Sequence, residues 1–171
     1  MTILGILRHA KSSWDDPGFG DFDRPLNHRG RHAAERIGRE LKRRAVRFDH
    51  VLASPAARVR ETLERLERGY GALPPAEFDR ALYAASGETL LDRVKGLAGG
   101  IQAPLLVGHN PGLHALLLAL TVDDDDGLRR RVSDKYPTGA FALLVTPAVR
   151  WDELAPATAR LRELILPREL D

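Results

Sequence analysis

The chain has 171 residues, 43% of them hydrophobic and 29% charged, with 26 basic against 24 acidic side chains and no cysteine. Such totals predict one globular domain over residues 1–171, and so near a balance of charge gives no reason to expect a nucleic-acid partner. The lack of cysteine removes disulfides, thiolate nucleophiles and cysteine-ligated metals together, which leaves histidine as the leading candidate nucleophile.

Residues 3–7, Ile-Leu-Gly-Ile-Leu, read as a buried strand, with Arg8 and His9 at its carboxyl end. In α/β proteins that end is where active sites are built. The run is short and passes straight into Arg8, His9 and Lys11, so no signal peptide is visible. No apolar run approaches the roughly 18 residues of a membrane span, and the expectation is a cytoplasmic protein without a membrane partner. Residues 11–26, rich in Asp, Gly and Pro, make the longest irregular stretch, and long loops beside strand ends tend to be functional. Lys11, Ser12 and Trp14 are candidates there for contact with a substrate.

A first helix is predicted after Asn27 as N-cap, with Ala33, Ile37, Leu41 and Ala45 on its buried side. A second short strand, Val51-Leu52-Ala53, leads to Ser54 as N-cap and Pro55 at the first position of a second helix, whose stripe is Val59, Leu63, Leu66 and Tyr70, with Gly69 near its stop. Arg58 falls in its first turn. A third helix is predicted from Ser86 and Gly87, carrying Leu90, Val94 and Leu97. A third strand, 105–107, runs into His109, with Asn110 and Pro111 opening a fourth helix whose residues 113–120 are apolar enough to be buried nearly all round. The aspartates at 123–126 lack the alternating spacing of a calcium loop and read as a solvated helix start. His28 and His32 stand four apart, too few ligands for a metal site. Residues 140–145, and the later alternation of Ala157, Ala159 and Leu161, predict an antiparallel pair at the sheet edge. The alternation of strands and helices predicts an α/β fold of three layers, α/β/α, with a mostly parallel central sheet.

Three segments share one pattern, a short apolar strand followed by polar residues and a helix start. They yield Arg8 with His9, then Arg58, then His109. If the three strands are parallel neighbours, these side chains converge at one edge of the sheet. Two guanidiniums and two imidazoles suit a tetrahedral dianion, because each Arg presents a planar fork of donors and helix starts add amide donors with a positive dipole end. In such a pocket His9 is the candidate nucleophile and His109 the candidate stabiliser of charge on phosphate oxygens.

Arg8-His9-Ala10-Lys11-Ser12, Arg24-Pro25-Leu26 with Arg29-Gly30, Ser54-Pro55-Ala56-Ala57-Arg58, Val107-Gly108-His109-Asn110-Pro111 and Pro137-Thr138-Gly139-Ala140, in that order, resemble the histidine phosphatase superfamily, and within it the small SixA-type phosphohistidine phosphatases. The resemblance runs from Ile3 to Leu170. It implies a phosphoglycerate mutase-like fold and a phosphoryl intermediate on His9. It also implies a pocket of Arg8, Arg58 and His109, no metal or organic cofactor, and phosphohistidine, as on a phosphotransfer protein, as substrate. Larger relatives carry a carboxylic acid as proton donor in the segment that here spans 82–88. No acid falls squarely on that motif in this chain, and Glu88, at the end of the segment, is the candidate general acid. Hydrolysis of a small phosphate ester, and non-catalytic binding of phosphate or a phosphoprotein, remain the alternative readings.

Overall fold

The computed structural model describes residues 1–123 and 126–170. Its sheet has six strands in the order β3-β2-β4-β1-β5-β6. They are β1 (Thr2–Arg8), β2 (His50–Ala53), β3 (Ala76–Phe78), β4 (Pro104–Gly108), β5 (Phe141–Thr146) and β6 (Arg160–Ile165). β3, β2, β4 and β1 pair in parallel, whereas β5 and β6 join antiparallel, so the predicted mostly parallel sheet with an antiparallel edge is what the chain forms. Helices α1 (His28–Arg43), α2 (Ala57–Tyr70), α3 (Gly87–Lys95), α4 (Gly112–Leu120) and α5 (Leu128–Ser133) complete the α/β fold.

Alternate side chains of each central strand serve opposite faces, as a period of two requires. Leu4 and Ile6 of β1, Leu106 of β4 and Leu144 of β5 join Leu90, Val94, Leu113 and Leu117 in one core layer. Leu7, Val107 and Phe141 join Ile37, Leu41, Val59 and Leu66 of α1 and α2 in the other. With helices on both faces, the central strands read as unbroken apolar runs, which is why they were legible.

α1 starts as expected, with Asn27 Oδ1 accepting from Gly30 N at 2.8 Å, but Ala45 lies beyond its end in a left-handed turn (φ 56°) and is exposed. Ser54 does not cap α2. Its backbone N–H still bonds Val107 O as if the strand continued, at 3.1 Å, and the helix opens later with Ala56 as N-cap. Gly69 lies inside α2, which ends at Gly71 in a positive-φ conformation. Likewise Asn110 does not cap α4: its side-chain amide donates to Tyr136 O at 2.8 Å, and the helix starts at Gly112. α4 is not buried all round, because Ala115 and Ala119 face outward while Leu113, Leu116, Leu117 and Leu120 are buried. Leu97 lies just past α3, after Gly96 at its C-cap. β3 and α5 were not expected. Each is short, and β3 is a half-exposed edge strand, so neither leaves a periodic signal. Asp124 and Asp125 of the acidic run lie outside the described residues, while Asp126 Oδ1 accepts from Leu128 N, 3.2 Å away, at the start of α5.

α1 and α2 approach each other through Gly38 and Gly69. A Cβ on Gly69 would lie 2.1 Å from Glu35 O and 2.7 Å from Arg39 N, backbone atoms that cannot step aside. Gly69→Ala is therefore expected to lower stability by about 1–2 kcal/mol net, since overpacking against fixed backbone atoms outweighs the roughly 1 kcal/mol that alanine gains over glycine as a helix former. Urea unfolding checks this, and an unchanged or raised midpoint would contradict it.

Candidate active site

The parallel register brings the three strand ends to one level. Arg8 pairs with Gly108 and Ala53 with Val107, so His9, Ser54 and His109 each leave the sheet side by side. The bonds His9 N to Gly108 O at 3.0 Å and Gly139 N to His9 O at 2.9 Å then hold the His9 backbone from both neighbouring segments. Ala10 N donates to Thr62 Oγ1 at 3.0 Å, and Thr62 in turn donates to Arg58 O, which ties α2 to the end of β1.

His9 is 6% exposed and His109 7%, with ring centroids 5.3 Å apart. His9 Nδ1 lies 2.7 Å from Ala10 O, a carbonyl that can only accept, so the neutral ring carries its proton on Nδ1 and its lone pair on Nε2. Nε2 lies 3.4 Å from Arg58 Nε, which donates toward it. His109 Nε2 is 2.7 Å from Ser54 Oγ, and its Nδ1 is buried without a hydrogen-bond partner among the described residues.

One cleft of about 310 Å³ is lined by Arg8, His9, Arg58 and His109 together with Lys11, Ser12, Trp14, Arg24, Asn110 and Thr138. The predicted site residues thus share a single cavity, with one exception. Glu88 is exposed in the first turn of α3, behind the Ser86 N-cap, and does not line the cleft. An acid there complements the helix dipole, which accounts for its position without chemistry.

Three contributors to the site were not foreseen by their spacing. Arg24 reaches the cleft from the 9–27 loop, where it donates to Ser12 Oγ and to Asp21 Oδ1 and lies 3.6 Å from the Trp14 ring centroid. Asp21 is the carboxylate among these cations. It bonds Arg24, accepts from Arg58 Nη2 at 3.2 Å through its other oxygen, and receives the Tyr83 hydroxyl at 2.5 Å. Tyr83 also meets the His109 ring edge-on, with centroids 5.5 Å apart. Arg24 carried a signal in its Arg-Pro-Leu motif, but Asp21 is one of several loop aspartates and only the path of the loop distinguishes it.

Burial, together with the charges of Arg58, His109 and Arg8, pushes the His9 pKa down to about 3, against a partial upward pull from the Ala10 carbonyl. Burial and Arg58 likewise push His109 down to about 4. The Tyr83 hydroxyl, followed by the neighbouring arginines, holds Asp21 at about 2. At neutral pH the site therefore has two neutral imidazoles, an ionised carboxylate and a ring of guanidiniums, a set suited to an oxyanion and to nucleophilic attack by an imidazole nitrogen.

Because both histidines hold depressed values when folded, the unfolded chain binds more protons between the folded values and about pH 6.5. The stability tied to neutral His9 is thus complete above that upper limit and falls as pH drops toward about 3. Thermal melts from pH 7.5 to 4.5 should show this loss, and His9→Gln should show a shallower one. Parallel pH profiles for the two proteins would refute the assignment.

A model of the histidine phosphatase superfamily (branch 1) matches residues 4–84. An uncharacterized protein of Mycobacterium tuberculosis is 35% identical over 164 residues, covering 95% of this chain and all of that protein. Among solved structures, one provisionally assigned as phosphohistidine phosphatase SixA from Agrobacterium tumefaciens is 32% identical, with a TM-score of 0.81 over 97% of this chain and 98% of the other. A second with the same provisional assignment, from Nakamurella multipartitia, is 28% identical, with a TM-score of 0.84 over 97% and 96% of the two chains.

Proposed function

The chain belongs to the histidine phosphatase superfamily, and on that premise we propose that it is a phosphatase that carries the phosphoryl group on His9 and takes it from phosphohistidine in a protein. The observation that carries the reading is the bond from His9 Nδ1–H to Ala10 O, which keeps the lone pair on Nε2 in a buried ring that stays neutral at physiological pH. The likeness to the SixA structures supports the substrate class.

In the first step the Nε2 lone pair attacks phosphorus, the P–N bond of the substrate breaks, and its electron pair returns to the departing imidazole. Arg8, Arg24 and Arg58 hold the phosphoryl oxygens, and His109 donates to one of them from Nδ1 while Nε2 accepts from the Ser54 hydroxyl. In the second step water attacks phosphorus, the P–Nε2 bond breaks, its electron pair returns to His9, and the water proton leaves with phosphate. No cofactor enters either step.

The leaving group decides between substrates. An imidazole accepts a proton from solvent on its own second nitrogen near neutral pH, and its exchange for the His9 imidazole is close to thermoneutral. An alkoxide needs an acid in the cleft, a contribution typically worth about 10²–10⁴ in rate. Asp21, held ionised, is a poor donor, and Glu88 lies elsewhere. A phosphohistidine peptide is accordingly expected to surpass an alkyl phosphate by about 100-fold or more in kcat/KM. Equal or faster ester hydrolysis would favour a small-ester phosphatase, and phosphate binding by calorimetry with no hydrolysis of either would favour a binding module.

A further inference from the structure

Beside the catalytic cleft lies a second one of about 280 Å³, which shares Lys11 and Thr138 with it. Its cations are Lys11, Arg29, Arg36, Lys135 and Arg168, brought together from the β1–α1 loop, α1, the segment before β5 and the carboxyl-terminal turn, and among the described residues no acidic side chain lines it. Several arginines elsewhere on the surface are matched by carboxylates, as in Arg31–Glu61, Arg44–Glu40 and Arg65–Glu35. Among the described residues, none of the five cations of this cleft forms an ion pair. Arg36 donates to Leu170 O, and its Nε is buried without a partner among the described residues. The first turn of α1 holds no acid, so Arg29 sets a positive charge at the positive end of that helix. This arrangement is costly for folding alone and favourable once an anion is bound.

We infer that this cleft docks an acidic segment of the phosphorylated polypeptide whose phosphoryl group enters the catalytic cleft, an inference that rests on the phosphoprotein reading above. The spread of the charges selects the occupant. Arg29 and Arg36 are seven residues apart on α1, two turns or about 10 Å along the axis, farther than one phosphate group spans. An extended chain places carboxylates at alternate residues about 7 Å apart, which suits such a row. Pro137, Leu166 and Pro167 offer apolar contact to the backbone between them. The shared Lys11 makes docking and catalytic clefts continuous, so the acidic residues would lie close in sequence to the phosphohistidine.

The test uses the full chain and two peptides of equal length, each with one phosphohistidine and with either Glu or Gln at the flanking positions. The Glu peptide is expected to have a KM about tenfold lower with kcat unchanged, and 0.5 M salt should remove most of the difference, because exposed charges are then screened within a few ångströms. The triple variant Arg29→Glu, Lys135→Glu, Arg168→Glu alters exposed side chains only, and its acid at position 29 suits the helix dipole. It should raise the KM of the Glu peptide to that of the Gln peptide and leave the Gln peptide untouched. Equal KM values in the wild type, or an advantage that survives charge reversal, overturn the inference. Pyrophosphate, as a compact polyanion, should compete poorly with the unphosphorylated Glu peptide in fluorescence anisotropy; equally strong competition would overturn the polypeptide assignment. Binding of that peptide, lost on charge reversal, would stand even if neither phosphopeptide were hydrolysed. Hydrolysis of both with equal KM would instead leave the phosphatase reading intact and remove the docking site.

Discussion

His9→Ala is expected to lower kcat by about 10⁵-fold, to the level that an arginine-lined cleft gives to direct attack by water. The ring is the nucleophile of the proposed reaction and nothing nearby replaces it. The other imidazole, His109, has Nε2 against Ser54 Oγ, and the carboxylate in reach, Asp21, is bonded to Arg24, Arg58 and Tyr83. The fold should survive, because the lost side chain had one hydrogen bond to Ala10 O and a weak one from Arg58, at roughly 1 kcal/mol each. The direct check is rapid quench into alkaline detergent after mixing with radiolabelled phosphohistidine peptide. Wild-type protein should give base-stable, acid-labile phosphate that maps to His9, and the variant none. Turnover at the wild-type rate by His9→Ala, or no labelled wild type under burst conditions, would refute the covalent route.

Arg58→Ala is expected to cost about 10²–10³ in kcat/KM, the usual loss when one buried donor to a transition-state oxyanion is removed. Arg58 is 6% exposed and holds three partners at once: His9 Nε2, Asp21 O at 2.7 Å and the Asp21 carboxylate. Arg58→Lys should recover only part of the loss, since an ammonium cannot supply the planar fork. A second readout separates this role from simple loss of structure. The Arg58 charge helps depress both His9 and His109, so without it both values move up toward 6.5, and the acid limb of kcat/KM, corrected for ionisation of the substrate, should shift to higher pH. A variant within threefold of wild type, or an acid limb that stays in place, would show that Arg58 does neither job.

The strand-to-helix pattern made Arg8, His9, Arg58 and His109 stand out, because each follows an apolar strand within a few residues and such patterning is written in contiguous sequence. The same local logic misled at Ser54 and Asn110. Both are good caps by type, but Ser54 turns to His109 and Asn110 to Tyr136 O, partners remote in sequence. Glu88 is near a motif in the sequence, but its place at a helix N-terminus accounts for it. Tyr83, in the same stretch, is the residue that reaches the site, through Asp21 and the His109 ring.

From sequence alone came the α/β class, the order of its central strands along the chain, and the strand ends that carry the Arg and His side chains, since hydrophobic period and cap chemistry act over a few residues. Tertiary structure alone decided that Arg8 pairs with Gly108 and Ala53 with Val107, which sets the two imidazoles beside each other. It also decided how the 9–27 loop folds back to deliver Asp21 and Arg24, which nitrogen of His9 keeps its lone pair, and how cations from four separate segments line one groove. The physical reason is common to all of these. A hydrogen bond, a depressed pKa or a shared cleft depends on distances of a few ångströms between groups that the chain separates by tens of residues, and only packing of the whole sheet and its helices sets those distances.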